Sequence, residues 1–99
     1  MSTPPEPHEA VEAPPWAPAE GPPPTVETWP RLSRPALRIW IRGEWRHCPV
    51  IAVHRYRDGR TAVQVDVHLD STTSYQARTY RWDPNAMHIA AAGNPPLEP

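Results

Sequence analysis

Lysine and phenylalanine are absent from this sequence, and Cys48 is its only cysteine. A single cysteine permits no intrachain disulfide, so nothing in the chain indicates an oxidising compartment. The first residues show no basic and apolar leader, and no apolar run approaches the roughly 20 residues that a membrane span requires. We therefore expect a cytoplasmic protein that has no membrane contact.

Residue patterns that carry catalysis or hold a metal are also missing. The four glycines form no phosphate-binding loop, and no CxxC, HxH or HExxH spacing occurs. His47 precedes Cys48, but neighbouring residues on a strand point to opposite faces, so they pair only if Pro49 introduces a bulge. We expect no enzyme, no catalytic residue, no cofactor and no metal site, and we expect Cys48 to be a small buried hydrophobic residue.

Proline, by contrast, is abundant, with 16 residues, most of them in the first third of the chain. Proline removes backbone donors and restricts φ, which favours polyproline II and coil. The sequence therefore predicts a disordered, acidic, proline-rich arm over residues 1–34. Trp16 and Trp29 are unusual in such an arm, and they are either exposed rings or docked on the domain or on a partner.

The charges of the arm and of the rest of the chain have opposite signs. Residues 1–30 hold five glutamates and no basic residue, whereas residues 31–92 hold ten arginines against five acids. This asymmetry indicates an acidic tail on a basic domain. The arm either folds back weakly on the domain and competes with a partner, or only keeps the protein soluble.

From residue 36 the apolar residues recur with a period of two, which predicts β-strands. The first strand alternates from Leu37 to Arg42. Gly43-Glu44 predicts a type II′ turn, and a second strand follows from Trp45 to about Tyr56, with Pro49 marking an edge or a bulge. Asp58-Gly59 is the strongest hairpin signal in the chain.

The third predicted strand is the clearest, because Val63, Val65 and Val67 alternate with polar residues. After it the sequence predicts a polar loop at 70–74, a fourth strand at 75–82, a turn at 83–85 and a short fifth strand at 87–90. Five short strands that bury one apolar face in a small chain usually close into a barrel, which removes exposed edges. We therefore predict an all-β barrel domain over residues 35–92 and a disordered tail over 93–99.

Several short motifs carry a resemblance to a known fold. Two tight hairpins, a longer loop and the run from Tyr80 to Asn85 before a last short strand resemble an SH3-like barrel. More narrowly, Gly43-Glu44-Trp45-Arg46, Asp58-Gly59-Arg60 and Tyr80-Arg81-Trp82 resemble a group of short, uncharacterised SH3-like proteins of high-GC bacteria over residues 37–90. The resemblance implies a five-stranded SH3-like barrel and no activity. The aromatic-rich first strand with which eukaryotic SH3 domains grip PxxP ligands is not matched, so recognition of proline-rich peptides does not carry over.

Arginine and aromatic side chains are the remaining candidates for a function. If the first strand turns its leucine and isoleucines inward, its arginines and tryptophan point outward, whereas for the fourth strand the outward face stays open. The candidate partner-binding residues are Arg38, Trp40, Arg42, Arg78, Tyr80 and Trp82. Such residues dominate protein interaction hot spots, and they suit single-stranded nucleic acid equally well. We expect a protein-interaction module; a nucleic-acid-binding barrel, with the arm as competitor of phosphate, and a mainly structural role are the alternatives.

Overall fold

Six antiparallel β-strands are the main regular elements of the part of the chain that the structure, a computed structural model, describes, which is residues 7–69 and 75–90. The strands are β1 (Thr25–Thr28), β2 (Ala36–Ile41), β3 (Glu44–Arg55), β4 (Thr61–Val67), β5 (Gln76–Arg81) and β6 (Met87–Ile89). Short 3₁₀ turns at Pro18–Glu20 and Arg31–Ser33 precede β1 and β2. Within these residues no helix has the length and apolar character needed to cross a bilayer.

The 12-residue strand β3 links two halves of the sheet. Residues 44–49 pair with β2, which pairs in turn with β6, and we call these strands the β2 half. Residues 50–55 pair with β4 on one edge, residues 52–55 pair with β1 on the other, and β4 pairs with β5; we call these strands the β4 half. The register of β3 against β4 shifts between Val50 and Ala52, next to Pro49, where the sequence predicts an edge or a bulge.

An apolar cluster joins the strands from β2 to β6. Its members are Leu37, Ile39, Ile41, Cys48, Val50, Val53, Val63, Val65, Val67, Tyr80, Ala86 and Met87. The three valines of β4 have no exposed surface, as their alternation predicts. In β2 the isoleucines are buried while Arg38 is exposed, so the period-two prediction is confirmed for both strands.

The first hairpin turn differs from its prediction by one residue. Ile41 pairs with Glu44, so the two loop residues are Arg42 and Gly43. Their φ angles are 53° and 76°, and two positive φ angles define a type I′ turn. The predicted type II′ turn at Gly43-Glu44 is therefore wrong, because Arg42 itself adopts the left-handed conformation.

The other predicted turns are confirmed where the structure describes them. At Asp58-Gly59 the Tyr56 amide donates to the Arg60 carbonyl at 2.9 Å, and Gly59 has a φ of 94°. Before β6 the Ala86 amide donates to the Asp83 carbonyl at 3.0 Å, and β6 is the predicted fifth strand. The predicted loop at 70–74 and tail at 93–99 lie outside the described residues.

The predicted closed barrel of five strands is not what the strands form. Within the described residues β5 and β6 are the two ends of the sheet order β5-β4-β3-β2-β6, and they do not pair with each other. Residues 8–13 of the arm lie between β5 and the β2 half and make hydrogen bonds to both. The sheet stays open, and this arm segment occupies the gap between its two ends.

The arm contains regular structure that its composition does not predict. Thr25–Thr28 forms β1 against residues 52–55 of β3, and Glu12 bridges Tyr80 of β5. The expectation of coil and polyproline II throughout the arm is wrong for these residues, since extended backbone also suits the edge of a sheet. Trp29 packs against the core. Residues 1–6 lie outside the described residues, and the disorder of the arm in solution stays a prediction.

Candidate interaction surfaces

The outer face of the β2 half carries a group of rings and one arginine. We call it the aromatic face, and it consists of Arg38, Trp40, Trp45, His47 and His88. Trp40 of β2 lies opposite Trp45 of β3, with ring centroids 5.3 Å apart and an angle of 73° between the planes. The His88 ring on β6 lies 4.6 Å from Trp45 at 41°. Edge-to-face contacts of this kind are favoured by the charge distribution of aromatic rings, so the rings hold each other in place.

Arg38 lies in the middle strand of this face. The register places it opposite His47 of β3 on one side and opposite His88 of β6 on the other. All three side chains are exposed, and Trp45 keeps 37% of its surface exposed. The face therefore combines planar rings with one permanent cation and imidazole groups, a chemistry that suits stacking and hydrogen bonding.

Residues 8–13 of the arm, which we call the docked segment, take the place of a strand between β5 and β2. Four backbone hydrogen bonds of 2.9–3.0 Å hold them: two to β5, one to Trp40 of β2, and one to Asn85 in the turn before β6. The donors and acceptors are Ala13 to Thr79, Arg81 to Val11, Ala10 to Trp40, and His8 to Asn85. The open edge of β5 is thus satisfied by the arm instead of by water.

Two glutamates of the docked segment meet arginines at one end of this gap. Glu12 Oε1 lies 3.1 Å from Nη1 of Arg78 on β5. Glu9 Oε1 accepts a hydrogen bond from the Arg42 amide in the first hairpin turn. We call the space between them the arginine cleft; its volume is about 240 Å³, and its other lining residues are Ala10, Ile41, Leu69 and Tyr80.

Arg46 fixes the strands beside the cleft. Its Nε donates to the Ile41 carbonyl at 2.9 Å, and its Nη1 donates to the His68 carbonyl at 3.0 Å. Its Nη2 lies 3.1 Å from Glu44 Oε2. Because one guanidinium ties the end of β2 to the residue after β4, the cleft has a rigid wall on that side.

Burial controls the two ionisable core groups closest to these arginines. The Cys48 side chain has no exposed surface, and burial raises its pKa to about 12, against a smaller lowering by Arg46. The thiol therefore stays protonated at neutral pH and donates to the Arg46 carbonyl at 3.4 Å. Burial, with a further contribution from the Glu12 carboxylate, also raises the pKa of Tyr80. His47 is exposed on the opposite face, so Cys48 is the buried hydrophobic residue that the sequence predicts.

The outer face of the β4 half is covered by the arm. Residues 13–16 line a groove of about 360 Å³ together with His54, Tyr56 and Gln64. Trp16 Nε1 and His54 Nε2 are buried in this region without a hydrogen-bond partner among the described residues. Ala62, at 2% exposed, lines a smaller cleft with Pro14 and Glu20. The arm thus shields polar side chains that the sequence alone would place in solvent.

The six residues predicted to bind a partner are divided between different surroundings. Arg38 and Trp40 belong to the aromatic face, Arg42, Arg78 and Tyr80 line the arginine cleft, and Trp82 packs against the core. Tyr80 is 3% exposed, so the face of β5 that carries it points inward. The structure brings Arg42 and Arg78 to one cleft and leaves Trp82 apart from both surfaces.

Sequence reasoning missed five residues of these surfaces: Glu9, Glu12, Trp45, His47 and His88. For Trp45 and His47 a signal existed, because strand alternation places them on the same side of the hairpin as Trp40. For His88 the pairing of β6 with β2 was needed. The two glutamates lie in a segment without apolar periodicity, and nothing in its pattern indicates where it docks.

Among residues 7–69 and 75–90, no three histidine, cysteine, aspartate or glutamate side chains are grouped so as to hold a metal ion. The resemblance to SH3-like proteins of high-GC bacteria stays a prediction. Comparison of the chain with models of protein families, with curated proteins and with solved structures gives no match.

Proposed function

We propose that this chain is a non-enzymatic β domain that binds a protein partner through the aromatic face. The observation that carries the proposal is the group of rings in contact, half-buried Trp40 with exposed Trp45 and His88, beside Arg38. Rings held in one arrangement lose little conformational freedom on binding, and Trp and Arg are enriched in interaction hot spots. Exposed aromatic clusters on small soluble domains commonly mark interaction sites.

The proposal includes a relationship to SH3-like barrels and a cytoplasmic location. The relationship is supported by the succession of β2 to β6, with tight hairpins after β2 and β3 and a turn at residues 83–86 before a short last strand. The location is supported by Cys48, which is a free and buried thiol.

Single-stranded nucleic acid is the second candidate, because bases stack on tryptophan while guanidinium groups meet phosphate. The charges favour it less than a protein partner. Arg38 is the one arginine of the aromatic face, and four of the other arginines are engaged with carboxylates. The engaged pairs are Arg34–Asp66, Arg46–Glu44, Arg60–Asp58 and Arg78–Glu12. Since phosphate binding draws on several accessible cations, a protein partner is favoured.

A comparison of two aromatic variants tests the aromatic face. The immobilised full-length chain, its Trp45→Ala variant and its Tyr75→Ala variant are exposed to the same cell extract, and retained proteins are quantified by mass spectrometry. Tyr75 is a matched control because it is 55% exposed and stacks on His68, at 4.4 Å, outside the aromatic face. We expect Trp45→Ala to retain at least one protein about tenfold less than the parent chain does, or less still. Tyr75→Ala should retain that protein at the parent's level. Equal retention by all three proteins would contradict the proposal.

The nucleic-acid candidate is tested with defined oligonucleotides. The full-length chain is titrated with single-stranded DNA and RNA of about 20 nucleotides across a salt series, since phosphate contacts make affinity fall steeply with salt. Tight binding that weakens steeply with salt and is lost in Trp45→Ala supports nucleic acid in place of a protein. No binding at low salt removes this candidate.

A further inference from the structure

The docked segment contacts the domain in the way that a bound peptide contacts a sheet edge. Its backbone bonds to Thr79 and Arg81 of β5 continue the sheet by one more extended chain. Backbone bonds of this type are available to any extended sequence, so the side chains decide which sequence binds. In residues 8–13 the side chains that meet the domain's polar groups are His8, Glu9 and Glu12.

The chemistry of the arginine cleft selects negative charge. Glu9 and Glu12 stand three positions apart, and the backbone between them changes partner, from Trp40 of β2 at Ala10 to β5 at Val11 and Ala13. That spacing lets one carboxylate reach the Arg42 amide while the other reaches the Arg78 guanidinium. Ala10 between them packs against the core, so the matching sequence has a small residue directly after the first acid.

The docked segment contributes little to the core. Among the described residues the largest fully buried side chains lie between Leu37 and Val67, and from the docked segment Ala10 packs against the edge of the cluster. Val11 is 56% exposed, and the Glu12–Arg78 pair is solvent-accessible on both partners. Exposed ion pairs stabilise a fold only slightly, so release of the segment leaves the core in place.

We propose that the β5 edge and the arginine cleft form a peptide-binding site for an extended acidic segment of a partner protein, and that residues 8–13 occupy this site as an internal competitor. The ligand has two carboxylates at positions i and i+3, a small residue at i+1, and an extended backbone that adds to β5. This site meets the aromatic face at the Trp40 backbone carbonyl, which bonds to Ala10, but the proposal does not depend on what the aromatic face binds.

Release of the internal competitor tests this site. The probe is a fluorescent, capped peptide that copies residues 7–14, and its affinity for the full-length chain and for variants is measured by anisotropy. Ala13→Pro removes the amide that bonds to the Thr79 carbonyl, and Ala19→Pro introduces the same residue at an exposed position of the arm. If the segment is docked about nine-tenths of the time, its release tightens peptide binding about tenfold. We expect Ala13→Pro to show this gain and Ala19→Pro to match the parent chain.

Two further changes test the charges. Arg78→Glu in the Ala13→Pro background is expected to weaken peptide binding about tenfold or more, because the guanidinium that meets Glu12 is replaced by a carboxylate. A peptide with glutamine at both glutamate positions should lose affinity to a similar extent. The dispersion of amide signals in an NMR spectrum shows whether Ala13→Pro is folded. If it is not, the double variant Glu9→Gln, Glu12→Gln is used in place of Ala13→Pro, since it keeps every backbone donor.

The remaining outcomes overturn the proposal. Equal peptide affinity in the parent and in both released variants means that the segment does not compete for the site, and no binding to any of them means that the site takes no peptide. Tighter binding of an oligonucleotide than of the acidic peptide assigns the arginines to phosphate. A dimer in sedimentation that dissociates in Ala13→Pro shows that the arm of a second copy occupies the site. Each result is independent of the Trp45→Ala comparison, so the two sites stand or fall separately.

Discussion

The two halves of the sheet share β3 and one core, but their outer faces differ. On the β4 half the arm lies over the strands, so that Ala62 is 2% exposed and His54 and Gln64 are half-buried. On the β2 half Arg38, His47 and His88 are exposed. The inner faces are alike, since both consist of apolar residues that alternate along the strands with outward-facing residues. The difference therefore comes from the arm, which covers the outer face of one half and leaves that of the other half exposed.

The largest effect is expected from a charge placed in the core that both halves share. Val65 has no exposed surface, so Val65→Asp buries an unpaired carboxylate and should cost more than about 4 kcal/mol, which unfolds a small domain. Gln64→Ala on the opposite face, where Gln64 is half-buried under the arm, should cost far less, about 1 kcal/mol. Thermal unfolding followed by circular dichroism separates them, and similar melting of both variants and the parent would show that the register of β4 is wrong.

Alkaline pH should lower the stability of the same core, and the group responsible is the Cys48 thiol in the β2 half. The pKa of the Cys48 thiol is 9.0 in its ordinary state and about 12 when folded, so the folded state resists ionisation. Stability is therefore full below pH 9 and falls as pH rises from 9 toward 12, by about 2 kcal/mol at pH 10.5. The raised pKa of Tyr80 acts in the same direction.

Chemical denaturation between pH 8 and pH 10.5 measures this loss, and Cys48→Ala is the control. Its curve should fall less steeply with pH than that of the parent, because the ionisable thiol is gone. Identical slopes for the two proteins above pH 9 would show that Cys48 does not titrate with unfolding.

Substitution of two tryptophans compares a ring that packs against the core with a ring on the exposed face. Trp29, in the arm, packs against the core, so Trp29→Ala should cost about 2 kcal/mol. Trp45, on the aromatic face, is 37% exposed and keeps two ring contacts, and Trp45→Ala should cost about 1 kcal/mol. Urea unfolding of the two variants measures the difference; a larger loss for Trp45→Ala would place that ring among the structural residues of the domain.

The smallest effect concerns the turn that sets the register of the aromatic face. Gly43 has a φ of 76°, a conformation that costs an L-residue about 1 kcal/mol. Gly43→Ala should therefore lower the free energy of unfolding by about 1 kcal/mol and loosen the Trp40–Trp45 contact, which near-ultraviolet circular dichroism detects. Arg42→Asn, which keeps a residue tolerant of positive φ, is the control; no loss in Gly43→Ala would contradict the type I′ turn.

The inward faces of the strands could be predicted from the sequence because alternation reports burial directly. Val63, Val65 and Val67 required no knowledge of their neighbours. The position of Trp45 opposite Trp40 was different, since it depends on which residue of the turn takes a positive φ. Arg42 does so, although glycine alone adopts that conformation readily, and the predicted pairing was displaced as a result.

The docking of the arm could not be predicted, because its contacts are backbone bonds and two carboxylates. Residues 8–13 contain no proline, and the prolines around them do not distinguish a free chain from one that lies on a sheet edge. The open edge of β5 supplies unpaired donors and acceptors, and an edge of that kind pairs with whatever extended chain is tethered nearby. The opposite charges of the arm and the domain indicated attraction, whereas the placement of Glu12 at Arg78 required the fold.

The central claim is that residues 8–13 occupy the edge of β5, and amide hydrogen exchange of the native full-length chain tests it most directly. We predict that the Ala10, Ala13 and Arg81 amides exchange about tenfold or more slowly than the same residues in an unstructured peptide, because each donates to a backbone carbonyl. Val53 of β3, which pairs with β1 on one side and β4 on the other, serves as the protected reference. Exchange of Ala10 and Ala13 at the unstructured rate, while Val53 stays protected, would contradict the account.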